Sequence, residues 1–132
     1  MAKVFAEGDT WPVTLPGRTS REIVSRARGA QSSSLRLVTI HPQRPGETPR
    51  GPHVHYAFEE VIHVLSGEAL TEAENGEHPL NAGDTILIPA GELHVTHNTG
   101  REPLVLLCFF PVGEVTSGTK EFPDWEIARA KR

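Results

Sequence analysis

Cysteine is nearly absent from this chain: its 132 residues contain one, Cys108. No disulfide can form within it, which fits a reducing compartment. Aromatic residues are scarce at 6%, so a core must be built mainly from aliphatic side chains. No apolar run approaches the ~20 residues that a membrane-spanning helix needs. The opening stretch, MAKVFAEGDTWP, lacks the apolar segment of a secretory signal. A cytoplasmic protein away from membranes is expected. Basic residues form no stripe, and the net charge is −4. Nucleic acid and acidic membrane surfaces are therefore excluded as expected partners.

Glycine and proline are plentiful, at 12 and 11 residues, which predicts many turns and short elements. No stretch reads as a linker and no repeat of fixed period occurs, so one domain is expected over 1–132, with its core at about 34–112. Residues 1–33 read as an N-terminal arm, with 1–20 an arm or a short edge strand and REIVSRA (21–27) either helix or strand, and 113–132 as a tail. SLRLVTIH (34–41) alternates and is β-branched, which predicts a strand. PQRPGETPRGP (42–52) has four prolines and must be a loop. Short strand-like segments follow, with an Asn-Gly hairpin turn at 75–76 and a second turn at 81–84. PLVLLCFFP (103–111) is apolar at both parities, which predicts cover on both faces and hence a homodimer. FPDWEIARAKR (122–132) has the makings of a short helix capped by Asp124. The whole reads as an all-β sandwich or barrel.

The chemistry concentrates in PHVHYAFEEVIHVLSG (52–67) and GDTILIPAGELHVTHN (83–98). Side chains on a strand alternate faces, so His53 and His55 share one. If Glu60 faces inward, so do Ile62 and Val64, and His63 turns away. If Glu59 faces inward, His63 goes with it. Alternation alone leaves both open. On HVTHN, His94, Thr96 and Asn98 share a face, and Val95 and His97 the other.

These two stretches resemble the paired signature motifs of the cupin superfamily. The first is His-x-His, three or four residues, Glu, six residues, Gly; here His53, His55, Glu60 and Gly67 match it. The second is Gly, five residues, Pro-x-Gly, two residues, His, three residues, Asn; here Gly83, Pro89, Gly91, His94 and Asn98 match it. One departure is Glu47, which stands where the first motif usually opens with Gly; the nearest glycine is Gly46. The resemblance implies a double-stranded β-helix, or jelly-roll, barrel. It implies Glu60 over Glu59, and one divalent ion per subunit held by His53, His55, Glu60 and His94.

Such a ligand set suits Fe, Mn, Ni, Zn or Cu, and leaves open positions for water, dioxygen or a chelating substrate. Cys108 is remote from both motifs in sequence, so a thiolate zinc site is not expected. Arg36, Ile62, Thr96 and Asn98 are the candidate substrate-pocket residues; Asn98 has the alternative task of tying backbone. Arg36 would meet an anionic group. Ile62, Val64, Ile86 and Ile88 predict a largely apolar interior with no second carboxylate. A dioxygenase acting on a small, oxygen-rich chelating molecule is the first expectation. An isomerase or lyase working through an enolate, or a binding module without catalysis, are the alternatives.

Overall fold

The computed structural model describes residues 1–15 and 17–131. Its strands are β1 (Trp11–Leu15), β2 (Arg18–Val24), β3 (Ser34–Ile40), β4 (His53–His55), β5 (Glu60–Ser66), β6 (Glu68–Ala73), β7 (Gly76–Asn81), β8 (Thr85–Ile88), β9 (His94–Asn98), β10 (Leu104–Phe110) and β11 (Thr119–Glu121). One helix, α1 (Trp125–Lys131), closes the described chain. Two antiparallel sheets face each other as a jelly-roll barrel, in the orders β1-β2-β3-β10-β5-β8 and β11-β4-β9-β6-β7. No helix among the described residues is long and apolar enough to cross a membrane.

Alternation sets the inner face. On β3, Ser34, Arg36, Val38 and Ile40 are buried while their neighbours are half-exposed. On β5 the buried set is Glu60, Ile62 and Val64. On β10 it is Leu104, Leu106, Cys108 and Phe110. These apolar side chains join Phe58, Ile88 and others in one core cluster. Each fully buried aliphatic side chain there stabilises the fold by roughly 1.5–3 kcal/mol.

The outer face of β10 differs. Val105 and Leu107 are half-buried, and Phe109 is exposed together with Leu65 and Leu87 on neighbouring strands. The cover expected on both faces is thus present only inside. β4 is buried on both sides because Val54, turned away from the two histidines, packs with Leu93, Phe122 and Ala128 beneath α1. Asp124 caps that helix, its carboxylate accepting from the Ile127 amide at 2.8 Å.

The sheets reach beyond the expected core of 34–112. β1 and β2 form a hairpin whose second strand pairs with β3. Residues 21–24 continue β2, and a 3-10 turn follows at Arg26–Arg28. The hairpin escapes a reading by hydrophobic period because the buried position on β2 is polar, Ser20. The tail supplies β11, which pairs with β4. In the proline-rich loop, Gly46 takes the left-handed conformation at φ +83° beside Glu47, which moves the turn's glycine by one place. At the loop's far end, a Cβ on Gly51 would stand 2.2 Å from the Phe122 carbonyl oxygen, so only glycine lets the tail lie against it.

Candidate metal centre

β4 turns His53 and His55 inward, β5 begins with Glu60, and β9 begins with His94. His53 and His94 are register partners across β4 and β9. The ligating atoms of the four residues all lie within 4.8 Å of one another, and every one of these residues is buried. Glu59 points to solvent. His63 faces outward to the Thr85 hydroxyl, and His97 outward to Glu72. Parity therefore separates the histidines as the alternation with Glu60 inward requires.

Hydrogen bonds fix which ring nitrogen faces the centre. The Thr119 hydroxyl donates its one proton to the Val115 carbonyl at 2.8 Å, so it accepts from His55 Nδ1–H, also at 2.8 Å. His94 Nδ1 donates to the Glu92 carbonyl at 2.9 Å. Both rings therefore turn Nε2 inward, 3.1 and 3.0 Å from Glu60 Oε1. In the neutral tautomers those nitrogens carry lone pairs, and they meet a carboxylate oxygen that also carries lone pairs. A cation shared among them resolves that repulsion, and a divalent metal does so for all four ligands together. The donor set fits such an ion. Phe58 stacks on the His55 ring at 5.2 Å and Phe110 meets it edge-on at 5.1 Å, which limits its rotation.

The electrostatics agree. Burial works to raise the Glu60 pKa, but with a proton on Nε2 the His55 and His94 rings donate hydrogen bonds and positive charge that hold the group well below the ordinary carboxylate range, a role that a bound cation would take over from those protons. Burial, reinforced by His94, pushes His53 well below its ordinary value, so it stays neutral as a ligand must. Cys108 is not remote in space. It lines the same cavity, and burial, reinforced by the nearby Glu60 carboxylate, raises its thiol well above the ordinary range. It remains a neutral thiol rather than a fifth ligand.

The cavity over the four ligands encloses about 110 Å³, room for roughly four waters at ~30 Å³ each or for one small molecule. Arg36, Ile62 and Thr96 are among the residues that line it. The Thr96 hydroxyl is engaged with that of Thr71 at 2.8 Å, so Thr96 shapes the wall more than it contacts a guest. Asn98 is a correction. Its amide donates to the carbonyls of Ile40 and Glu102 and its oxygen accepts from Gly100, so it ties backbone and does not line the cavity.

Most of the cavity's surface is apolar, but the expected absence of a second carboxylate is a second correction. Arg18, Arg36 and Arg50 all line the cavity, and so does a second carboxylate, Glu121. Arg18 pairs with Glu121 at 2.8 Å. Arg36 donates to the Thr116 hydroxyl at 3.4 Å and stands over the Phe110 ring at 5.7 Å, but its buried Nε has no hydrogen-bond partner among the described residues. Arg50 donates to the Thr96 carbonyl at 3.3 Å and leaves buried Nη1 without a partner. Burial lowers the pKa of both, Arg50 to about 10, and both stay charged at neutral pH. Arg18, Arg50 and Glu121 come from the hairpin, the proline-rich loop and the tail. No spacing marks them, and only the closed fold brings them to the ligands.

A family model described as "Cupin domain" matches residues 36–110. An uncharacterized protein of Methanocaldococcus jannaschii is 39% identical over 56 residues, 42% of this chain and 45% of that one. An oxalate-binding protein of Thermotoga maritima is 30% identical over 81 residues, 61% of this chain and 66% of that one. Among solved structures, the oxalate decarboxylase of Lactobacillus farciminis, in its formate complex, superposes with a TM-score of 0.73 at 24% identity. That match covers 88% of this chain but 34% of the decarboxylase, so this chain spans about a third of it.

Proposed function

This chain belongs to the cupin-domain family, and from that premise we propose that it is a metal-dependent enzyme for a small anionic chelating acid, with lyase-type chemistry. The observation that carries the reading is a buried guanidinium, Arg36, with a partnerless Nε in the cavity that holds the four-ligand cluster. A buried cationic donor left unpaired costs several kcal/mol unless an anion completes it. Arg50 offers a second such donor. His53, His55, Glu60 and His94 would hold one divalent ion, which when bound supplies a Lewis acid with open positions. The ligand set leaves the choice among Fe, Mn, Ni, Zn and Cu open.

The chain's own groups then divide the work. Arg36 and Arg50 fix an anionic end of the substrate. Ile62, Leu106 and Val38 exclude water from its other side. Glu121 is present as a second carboxylate but is neutralised by Arg18. The dioxygenase expectation rests on an apolar interior and open metal positions, neither of which calls for the three arginines that line the cavity. Cleavage of a carbon–carbon bond next to a carboxylate fits the charged cavity better, and the superposition on a decarboxylase points the same way. A binding module without turnover is the second reading, favoured by the oxalate-binding relative.

The test loads the protein in turn with Mn, Fe and Zn and titrates oxalate, malonate and a neutral diamide of the same size by calorimetry. Binding of a diacid, absent for the diamide, is expected. Gas release without oxygen uptake marks the lyase, oxygen uptake the dioxygenase, and binding without either the carrier. Equal affinity for acid and diamide would sink the anion reading. The outer apolar face of β10, with Phe109, Leu65 and Leu87, is read as a homodimer interface; a monomeric mass at low micromolar concentration contradicts it. The single buried cysteine is in keeping with a cytoplasmic setting.

A further inference from the structure

β11 lies opposite β4 residue for residue: Thr119 pairs with His55, Lys120 with Val54, and Glu121 with His53. Directly opposed side chains share a face and stand ~4.5–5.5 Å apart at Cβ. Thr-x-Glu therefore mirrors His-x-His across the ladder. The first half of the mirror is already in contact, since Thr119 accepts from His55 Nδ1 at 2.8 Å. The second half is not. His53 Nδ1 is buried without a hydrogen-bond partner, and Glu121 Oε2 stands 3.9 Å from it. That is too long for a hydrogen bond. Arg18 holds the other oxygen of the same carboxylate at 2.8 Å. Arg18 and β11 both lie outside the matched residues 36–110, so none of this follows from the family motifs.

We infer that Thr119 and Glu121 form an outer shell that orients the two histidines of β4, with Arg18 clamping Glu121. The inference rests on the metal reading above. A metal-binding imidazole gives its far N–H to an acceptor, which fixes the tautomer and makes the near nitrogen a better donor to the metal. His55 and His94 meet that demand with Thr119 and the Glu92 carbonyl. For His53 the partner is Glu121, which needs to advance by roughly 1 Å to close a hydrogen bond. Its side chain is 29% exposed, so it has room to do so. Glu121 is a positioning residue: it acts on the ion through His53.

The test uses the full chain and Co²⁺ as the probe, with no substrate. Affinity is read by competition with a chelator, and ligand geometry by the visible absorption of bound Co²⁺. Glu121→Leu and Thr119→Val, which remove the acceptors, each weaken binding about 10- to 100-fold, the range for loss of an outer-shell partner, and shift the absorption. Thr119→Ser keeps the acceptor and retains affinity. Lys120→Ala, on the opposite face of β11, changes neither readout. Circular dichroism confirms that each variant is folded; if Glu121→Leu is not, Arg18→Gln replaces it and gives a smaller loss in the same direction. Wild type that binds Co²⁺ alongside folded variants with unchanged affinity and spectrum overturns this inference alone. Wild type that binds no Co²⁺ overturns the metal reading first and this inference with it.

Discussion

The ligand cluster and the charged rim line one cavity, yet they are assembled by different means. The four ligands fall within 53–94 and converge through strand alternation and one register pair, His53 with His94. The rim is collected from the first hairpin, β3, the proline-rich loop and the tail. Away from the inward point where their lone pairs meet, His55 and His94 have hydrogen-bond partners in Thr119 and the Glu92 carbonyl, while His53 Nδ1 has none among the described residues. The rim carries buried cationic atoms with no partner. On the function proposed above, one set would hold an ion and the other would receive an anionic substrate.

That division is broken most severely at Glu60. Glu60→Ala or His94→Ala removes a ligand and should lower metal affinity by more than the ~10- to 100-fold of outer-shell changes, read as metal content after dialysis. Retention of stoichiometric metal would mean the cluster is not the binding site. Arg36→Gln should act on the other set. Diacid affinity is expected to fall about 10- to 100-fold, corresponding to ~1.5–3 kcal/mol for a charged hydrogen bond, while affinity for the metal alone stays within about threefold. Parallel loss of both would show that rim and cluster are one unit.

Asn98→Ala tests a residue that belongs to neither set. It frees the Ile40 and Glu102 carbonyls, and should destabilise by about 1–3 kcal/mol in chemical denaturation with metal affinity unchanged. The metal-free protein is expected to lose stability as pH falls. His53 titrates well below its ordinary 6.5 when folded, so the unfolded chain takes up its proton first. The stability this contributes is full above pH ~6.5 and declines as pH falls toward the folded value, by at most ~1.4 kcal/mol per unit. Glu60, also lowered, adds a further loss below its ordinary 4.5. Denaturation midpoints between pH 8 and 4 check the sign, and a rise on acidification would contradict it.

The same contrast explains what could be read from the sequence. His53, His55, Glu60 and His94 are legible because strand periodicity and fixed spacing both constrain them. Arg36 is legible as a charged residue sharing a face with Val38 and Ile40. Arg50 is hidden because the path of a proline-rich loop has no period. Arg18 is hidden because the buried position of its strand, Ser20, is polar. Glu121 and Thr119 stand two apart like the histidines they face, but three residues carry too little pattern to announce a strand. Asn98 misleads for the opposite reason: it shares parity with His94 and is buried, yet its amide is spent on loop carbonyls.

The missing side chain at Gly51 has a practical consequence. Because the backbone at Phe122 and Pro123 rests where a Cβ would project, the segment leading into β4 and the segment leaving β11 are wedged together. Any larger residue there must pry the closing stretch away from the wall, exposing the chamber on the side where Arg18 and Glu121 sit. Trimming the chain after residue 112 for crystallisation would do the same, leaving a vessel with one stave removed.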